Sequence, residues 1–248
     1  MSLYLEATRP VLFECENSDY AYFGLGSSTL FSSATNTYWV TAKHVIENQG
    51  QDIHSVRVFS SEGSRQSIPF DALVNIEEDP DDSDYADLYI AQVNNTEFQS
   101  IGDAILTGQR VEDGLLHSSN LCIGDEIFVV GFPGESRAVD YEEFKIKYQR
   151  SIYVGKYDGK ATMQHCHKIA FRTDHGLNDF NGLSGSPVYR MRSIGNAVQP
   201  LVVGILLRGT ASSSSGYFVE SDVLRYAIQK SEKRKGVRSC EKVSGLES

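Results

Sequence analysis

Short apolar runs separated by polar turns are the dominant pattern of this chain. The runs are rich in β-branched and aromatic residues, and the turns carry Gly, Ser, Asn and Pro, which is typical of β-hairpins. The main runs in the first half span residues 11–13, 20–23, 29–31, 38–41, 56–59, 70–74 and 85–93. The second half repeats the pattern at residues 123–132, 145–154, 161–173, 188–189, 201–207 and 217–219. The sequence therefore predicts an all-β fold.

One amphipathic helix is predicted after the last of these runs. Ser221-Asp222 is typical of a helix N-terminus. The apolar residues that follow share one face at helical spacing, and they are Val223, Leu224, Ala227 and Ile228. From about Ser231 the sequence is polar and partly basic, which predicts a frayed tail, with a weakly basic docking tail as the alternative.

Composition and charge narrow the class of protein. Of 248 residues, 40% are hydrophobic, with 13 Tyr and 12 Phe, which is enough for a sizeable core. The net charge of −10 argues against nucleic acid or an anionic membrane as the main partner, because both require a cationic surface. No segment approaches about 18 consecutive apolar residues, and Met1–Glu6 lacks the features of a secretory signal. We therefore expect a soluble cytoplasmic protein without a membrane partner.

Three features invite a metal or disulfide interpretation. The four cysteines form no CxxC pair, so we expect free thiols. They are Cys15, Cys122, Cys166 and Cys240. On a strand, His165-Cys166-His167 would place its imidazoles on one face and its thiol on the other, which favours a structural role over a metal site. The acidic segment at residues 77–84 lacks the glycine of an EF-hand loop, so we interpret it as a solvated loop. We expect neither a metal nor a cofactor.

Three separate residues together have the chemistry of nucleophilic catalysis. Gly182-Leu183-Ser184-Gly185-Ser186-Pro187 sets a serine on a tight, open turn, although Gly/Ser-rich turns also close hairpins. His44 follows the run 38–41, and Asp87 opens a strongly apolar run, where an acid needs a partner such as an imidazole N–H. A neutral imidazole can take the proton of the serine, and the acid holds the imidazole in the required tautomer.

In this order the three blocks resemble the catalytic blocks of trypsin-like serine peptidases of the chymotrypsin fold, closest to the bacterial members. The blocks are Thr41-Ala42-Lys43-His44-Val45, Asp87-Leu88-Tyr89-Ile90 and Gly182–Pro187, with a further similarity from Gly124-Asp125 to Gly131-Phe132-Pro133. The resemblance covers about residues 20–228. It implies two antiparallel six-stranded β-barrels. Residues 1–110 would carry His44 and Asp87, residues 111–220 would carry Ser184, and a helix with a polar tail would follow at 221–248.

The resemblance also implies roles for individual residues. His44, Asp87 and Ser184 would form the catalytic triad, and the backbone N–H groups of Gly182 and Ser184 would form the oxyanion hole. Substrate binding would involve Asn178, Asp179, Leu207, Arg208, Gly209 and Gly216, with the strand edge at 206–209 pairing with the substrate backbone. Asp179 would favour a basic substrate side chain, whereas a neighbouring Arg208 would neutralise Asp179, and both alternatives stay open.

Two departures from the secreted trypsins bear on regulation. Leu183 stands where those enzymes carry an aspartate that receives a freed N-terminus, so a switch by N-terminal insertion is not expected. Val45 stands where they carry a cysteine, which agrees with a reducing compartment. Control would then come from loops such as residues 134–150 and 174–181, from a ligand or from a partner chain.

These observations predict a serine endopeptidase that cleaves a protein or peptide through an acyl-enzyme intermediate. A specific intracellular substrate, an activating or regulatory partner protein, and a regulatory or defence pathway are hypotheses that follow. The alternative from another class is a catalytically silent binding module that keeps the fold as an interaction surface. An esterase with the same residues is disfavoured by their order in the chain, which is His, Asp, Ser.

Overall fold

Strands dominate the chain, as the hydrophobic pattern predicts. The computed structural model describes residues 5–14, 22–48, 50, 53–61, 64, 66–74, 76, 86–101, 106–136, 138–140 and 145–244. The acidic segment at 77–84 and Cys15 lie outside these residues. None of the helices in the described ranges combines the length and the apolar character needed to cross a lipid bilayer.

The first seven strands form one sheet. They are β1 (Thr8–Glu14), β2 (Tyr22–Ser32), β3 (Thr37–Ala42), β4 (Val56–Arg57), β5 (Phe70–Leu73), β6 (Leu88–Val93) and β7 (Gln109–Arg110). Their hydrogen-bonded order is β4-β1-β2-β3-β6-β5, all antiparallel, and β7 pairs with β2 in parallel. The large side chains of Leu30, Tyr38 and Trp39 are completely buried. Burial of this apolar surface is what holds the sheet against the rest of the core.

Two short helices follow central strands of this sheet. Helix α1 (His44–Glu47) begins two residues after β3 and buries Val45 and Ile46. Helix α2 (Asn95–Ile101) follows β6. Its start is capped because the Asn94 side chain accepts a hydrogen bond from the Glu97 N–H at 3.0 Å.

The second part of the chain forms a closed barrel and a small sheet. The barrel strands are β8 (Glu126–Gly131), β11 (Ser151–Lys160), β12 (Cys166–Phe171), β13 (Pro187–Ile194), β14 (Ala197–Thr210) and β15 (Ser215–Glu220). They close in the order β11-β12-β15-β14-β13-β8, while β9 (Ala138–Asp140) and β10 (Lys145–Lys147) pair with each other. The barrel interior is filled by buried side chains such as Ile127, Val203 and Phe218.

The expectation of two closed six-stranded barrels is met only in part. One six-stranded barrel closes, whereas the first sheet has seven strands and stays open within the described residues. Its two edges are β4, with two residues, and β5, with four residues. Strands this short, one of which exposes Leu73, offer too few backbone groups to bond to each other across the gap.

The C-terminal helix, α3, is longer than the sequence predicts. It runs from Ser221 to Ser244, past Ser231, where the tail was expected to begin. Its predicted apolar face is buried, with Leu224 and Ile228 fully inaccessible and part of the core shared with the first sheet. Beyond that face, the Glu232 carboxylate accepts hydrogen bonds from the β2–β3 turn and the start of β3. The donors are Ser33, Thr35, Asn36 and Tyr38. These contacts hold the middle of the helix against the first sheet.

Candidate active site

The register of two neighbouring strands brings His44 and Asp87 together. Strands β3 and β6 are antiparallel, and Ala42 lies opposite Leu88. The residues that follow β3 therefore face the residue that precedes β6. The Lys43 N–H donates to the Asp87 carbonyl oxygen at 3.1 Å, which continues the ladder by one step. His44 then lies at the first position of α1, beside the Asp87 carboxylate.

The Asp87 carboxylate holds His44 at two points. Oδ1 accepts the His44 backbone N–H at 2.9 Å, and Oδ2 lies 2.6 Å from His44 Nδ1. An ionised carboxylate only accepts hydrogen bonds, so Nδ1 carries the proton in this pair. The side chains of His44 and Asp87 are 31% and 27% exposed, so solvent reaches only part of the pair.

The second ring nitrogen of His44 is available for proton transfer. With Nδ1 protonated in a neutral ring, Nε2 carries the lone pair. In the part of the chain that the structure describes, neither His44 Nε2 nor Ser184 Oγ makes a hydrogen bond. The structure thus brings His44 to Asp87 but does not join Ser184 to His44 by a hydrogen bond.

Two glycines with positive φ shape the turn that carries Ser184. Gly182 has φ of +86° and Gly185 has φ of +87°, which side chains other than glycine rarely adopt. A Cβ on Gly182 would lie 2.5 Å from the Phe132 carbonyl oxygen. A Cβ on Gly185 would collide with the Ser27 carbonyl oxygen and the Thr41 hydroxyl. Glycine therefore allows the turn to approach the end of β3, three residues before His44.

Two backbone N–H groups on this turn are unused. The N–H groups of Leu183, Gly185 and Ser186 donate to carbonyl oxygens of Phe180, Leu206 and Leu183. The N–H groups of Gly182 and Ser184 donate to no acceptor among the described residues. Ser184 is half-buried, and Gly182 is buried. Two free N–H donors on either side of Leu183 are the groups that a developing oxyanion requires.

Ser27, a residue of β2, fixes this turn from the first sheet. Its N–H donates to the Ser184 carbonyl oxygen at 2.9 Å, and its hydroxyl donates to the Gly182 carbonyl oxygen at 2.7 Å. The same hydroxyl accepts the Phe132 N–H at 2.8 Å, and the Ser27 carbonyl oxygen accepts the Thr41 hydroxyl at 2.7 Å. Ser27 is fully buried. One residue thus connects β3, the end of β8 and the serine turn.

The residues that precede the serine turn bind Glu135 of a neighbouring turn and one another. The N–H groups of Asn178 and Asp179 both donate to Glu135 Oε1, at 2.9 and 3.1 Å. The Asp179 carboxylate accepts the Asn181 N–H at 2.8 Å. Both Asn178 and Asp179 are exposed. The Asp179 carboxylate is therefore engaged with the backbone of this loop.

The other predicted substrate-binding residues lie on β14 and β15. Leu207 is buried and Arg208 is exposed, and the Arg208 guanidinium lies 5.7 Å from the centre of the Tyr217 ring. Gly209 and Gly216 lie directly opposite each other in the β14–β15 pair. A Cβ on Gly209 would collide with the Phe180 ring, and a Cβ on Gly216 would lie 2.8 Å from the Phe171 ring.

Two aromatic rings thus cover the paired glycines. The rings of Phe171 and Phe180 are 4.8 Å apart in an edge-to-face arrangement, and both residues are buried. The His175 ring lies 5.0 Å from Phe180 on another side. The space that two small residues leave free on this face of the sheet is therefore filled by the protein itself.

Strand β14 extends beyond its pairing with β13, next to the serine turn. Strand β13 pairs with β14 only as far as Ile205, whereas β14 continues to Thr210. Beyond Ile205, the backbone of the serine turn bonds to Leu206 through Gly185 and Ser186. From Leu207 to Gly209 the β13-facing edge of β14 carries no paired strand among the described residues. A peptide in extended conformation can add to such an edge.

His165 and His167 are held by a carboxylate. The two oxygens of Glu220 lie 2.6 Å from His165 Nδ1 and 3.0 Å from His167 Nε2. His165 has φ of +57°, so it belongs to the turn before β12 and not to the strand. Cys166 is buried and is not part of a disulfide, and the described residues contain no group of three or more His, Cys, Asp or Glu arranged to hold a metal ion. Cys122 is exposed and is not part of a disulfide either.

Sequence reasoning missed two residues of this site. Ser27 lies in a polar stretch of β2, and its contact with Gly182 spans 155 positions of the chain. Glu135 follows a Gly/Pro turn and contacts a segment 43 positions away. Neither residue stands out by pattern or spacing, because its role depends on which loop the fold brings to it.

Comparison of the sequence with models of known protein families finds no match. A search among curated proteins likewise finds no similar chain. A functional assignment is therefore supported by the geometry of the His44–Asp87 pair and the serine turn.

Proposed function

We propose that this chain is a serine endopeptidase with a chymotrypsin-like arrangement of catalytic groups. The observation that carries the proposal is the two-point contact between Asp87 and His44, which leaves His44 Nε2 free on a half-buried ring. A second feature supports it. The turn of Ser184 has two unused N–H groups, from Gly182 and Ser184.

The proposed reaction begins with proton transfer from Ser184 Oγ to His44 Nε2. Oγ attacks the carbonyl carbon of the scissile bond, and the resulting oxyanion accepts hydrogen bonds from the N–H groups of Gly182 and Ser184. The imidazolium, stabilised by Asp87, gives its proton to the leaving amine, and an acyl-enzyme remains. Water then attacks the acyl group with His44 as the base, which releases the acid and restores the serine hydroxyl.

Proton transfer requires Oγ and Nε2 to approach within about 3 Å. Catalytic hydrogen bonds are often longer before substrate is bound and tighten in the complex. In the proposed complex, the substrate backbone lies beside β14 at 207–209, beyond the end of its pairing with β13, and its carbonyl group contacts the serine turn. Closure of the Ser184–His44 contact on binding is therefore part of the proposal.

The aromatic rings over Gly209 and Gly216 favour a small substrate side chain before the scissile bond. A peptide that lies along the β14 edge directs a side chain towards the face where Phe180 and Phe171 fill the space. A large side chain would need to displace a buried ring. We infer a preference for Gly, Ala or Ser at that position. This inference is separate from the catalytic proposal and is tested separately.

The test of the catalytic proposal is labelling with a fluorophosphonate probe, which reacts with an activated serine. We expect the wild-type chain to be labelled and Ser184→Ala to be unlabelled, because Oγ is the proposed nucleophile. His44→Ala should reduce labelling by at least about 10³-fold, since the base is lost. Ser186→Ala is the matched control. Ser186 lies two residues away, is fully buried and makes no hydrogen bond through its hydroxyl, so labelling should persist.

Absence of labelling of the wild-type chain would contradict the proposal and favour a catalytically silent binding module. Labelling alone does not distinguish a peptidase from an esterase. Incubation with a peptide library, followed by mass spectrometry of new termini, makes that distinction. New termini that appear with the wild type and not with Ser184→Ala would support a peptidase.

A further inference from the structure

Three hydrogen bonds hold the segment before the serine against one turn. The clamp turn is residues 133–136, and the pre-nucleophile segment is residues 178–182. The Gly134 N–H donates to the Asn181 carbonyl oxygen at 2.7 Å. Glu135 Oε1 accepts the N–H groups of Asn178 and Asp179 at 2.9 and 3.1 Å. One carboxylate oxygen therefore binds two successive backbone donors.

The bond to Asn181 sets the direction of a proposed oxyanion donor. The Asn181 carbonyl and the Gly182 N–H belong to one planar trans peptide group, so they point in opposite directions. Because the carbonyl oxygen points at Gly134 in the clamp turn, the Gly182 N–H points away from that turn. Anchoring the carbonyl thus leaves the N–H free, as observed.

This peptide group has an alternative orientation that the clamp turn opposes. Glycine tolerates large rotations of the adjoining peptide, so a flip between Asn181 and Gly182 is sterically cheap at Gly182. The next peptide group is fixed separately, because the Ser27 hydroxyl binds the Gly182 carbonyl oxygen. A flip would replace the free N–H by a carbonyl oxygen and remove one oxyanion donor. The orientation of this group depends on the clamp turn.

Glu135 supplies most of the contacts between the clamp turn and the segment. Its hydrogen bonds are charge-assisted, and these are stronger than bonds between neutral groups. The Asp179 carboxylate also restrains Asn181, because it accepts the Asn181 N–H at 2.8 Å. At the other end, Leu183 is fully buried in the barrel core. The segment is thus held by a carboxylate before Gly182 and by apolar packing after it.

We propose that Glu135 is a positioning residue that keeps the Gly182 N–H directed into the active site. The proposal rests on the serine endopeptidase function proposed above. Glu135 touches neither the substrate nor the reacting atoms. It acts on transition-state stabilisation through the pre-nucleophile segment, so its loss lowers kcat and leaves KM nearly unchanged.

The test compares Glu135→Ala, Glu135→Gln and the control Glu126→Ala. Glu126 is exposed on β8, and its side chain makes no hydrogen bond or ion pair in the described residues. We expect Glu135→Ala to lower kcat and the rate of fluorophosphonate labelling about 10- to 100-fold, below the 10²–10³ for complete loss of a donor. Glu135→Gln retains an acceptor oxygen and should recover most of the rate. Glu126→Ala should match the wild type.

Hydrogen exchange of the peptide covering residues 178–186 gives a readout that does not depend on activity. Exchange there should be faster in Glu135→Ala than in the wild type, Glu135→Gln and Glu126→Ala. If Glu135→Ala has the kcat and the exchange rate of the wild type, or if only its KM changes, the role proposed for Glu135 is wrong. The proposed peptidase function would not be affected by that result. A wild-type chain that is not labelled at all would instead overturn the proposed function. Thermal unfolding of each variant identifies any loss of fold.

Discussion

Phe180 is the residue through which the fold would determine substrate choice. It lies four positions before Ser184, is buried, and covers Gly209, where any larger residue would collide with its ring. The edge-to-face contact with Phe171 holds the ring in place. A side chain that must be displaced to admit substrate sets an upper limit on the size of the substrate residue.

Shortening Phe180 should therefore widen the specificity of the proposed peptidase. We expect the wild type to cleave after Gly, Ala or Ser, and Phe180→Leu to accept larger apolar residues such as Val or Leu as well. Cleavage-site profiling on a peptide library measures the change. Leu is used because truncation of a buried Phe to Ala costs about 3–5 kcal/mol of stability.

The control for this experiment is Phe98→Leu, another buried Phe, on α2. It should lose a similar amount of stability and keep the wild-type cleavage profile. A wild-type enzyme that cleaves efficiently after Phe, Lys or Arg would contradict the inferred pocket. In that case the catalytic proposal, tested by labelling, would still stand.

Residue types and their position beside strands were sufficient to select His44, Asp87 and Ser184 as candidates. The apolar runs indicated where β3 ends and where β6 begins, and a polar side chain at such a strand terminus needs a partner. No comparable rule selects Ser27 or Glu135, because a single Ser or Glu in a polar stretch is ordinary. Their contacts cross 155 and 43 positions of the chain, and only the packed structure reveals them.

At the scale of elements, β12 and β15 are joined at one end by an ionisable cluster. Glu220, the last residue of β15, binds His165 and His167, and the Tyr157 hydroxyl lies 2.8 Å from His167 Nδ1. Burial alone would raise the pKa of Glu220. Hydrogen bonds from His167, Ser118 and His165 outweigh it and lower this pKa to about 2.

This cluster should make stability depend on pH in the acid range. The carboxylate has a lower pKa folded than unfolded, so its contribution is present above the ordinary value of 4.5 and is lost as the pH falls towards about 2. Since one pKa unit corresponds to about 1.4 kcal/mol, the loss by pH 2 is on the order of 3 kcal/mol. Urea unfolding between pH 7 and pH 2 measures it.

Glu220→Gln provides the comparison. We expect it to be less stable than the wild type at pH 7, and the two stabilities to converge as the pH falls from 4.5 to 2. Curves that stay parallel over this range would show that Glu220 does not carry the effect.

The hydrophobic pattern predicted the kind of element better than its extent or its partners. Runs such as 38–41 and 201–207 became β3 and the centre of β14 because their residues are buried on both faces. Within the described residues the first sheet stays open, with only two and four residues in its edge strands β4 and β5, which periodicity does not reveal. Helix α3 continues to Ser244, and its Glu232 binds four donors that are distant in the sequence, which a local reading of a polar tail misses.

At the scale of the whole molecule, Ser27 connects the open sheet to the barrel. Its hydroxyl satisfies two buried backbone groups, the Gly182 carbonyl and the Phe132 N–H. Ser27→Ala would leave both without this partner. We expect a loss of about 1–3 kcal/mol in the free energy of unfolding, together with slower fluorophosphonate labelling.

Ser186→Ala is again the suitable control. Both serines are fully buried, yet the Ser186 hydroxyl makes no hydrogen bond with any residue that the structure describes, so its removal should be neutral or slightly stabilising. Equal stabilities of the two variants in chemical denaturation would contradict a special role for Ser27. Unchanged labelling of Ser27→Ala would show that its hydroxyl does not fix the serine turn.

Because Ser27 contacts residues far along the chain, the order of synthesis determines when the serine turn can form. During synthesis, residues 8–110, with His44, Asp87 and Ser27, leave the ribosome well before residue 182 is added. Ser27, which contacts the serine turn, is therefore synthesised first. The turn itself forms only after the barrel strands on both sides of it have assembled. A nascent or truncated chain would therefore hold the acid and the base without a formed oxyanion hole. Hydrolytic activity would begin only once the complete molecule has folded.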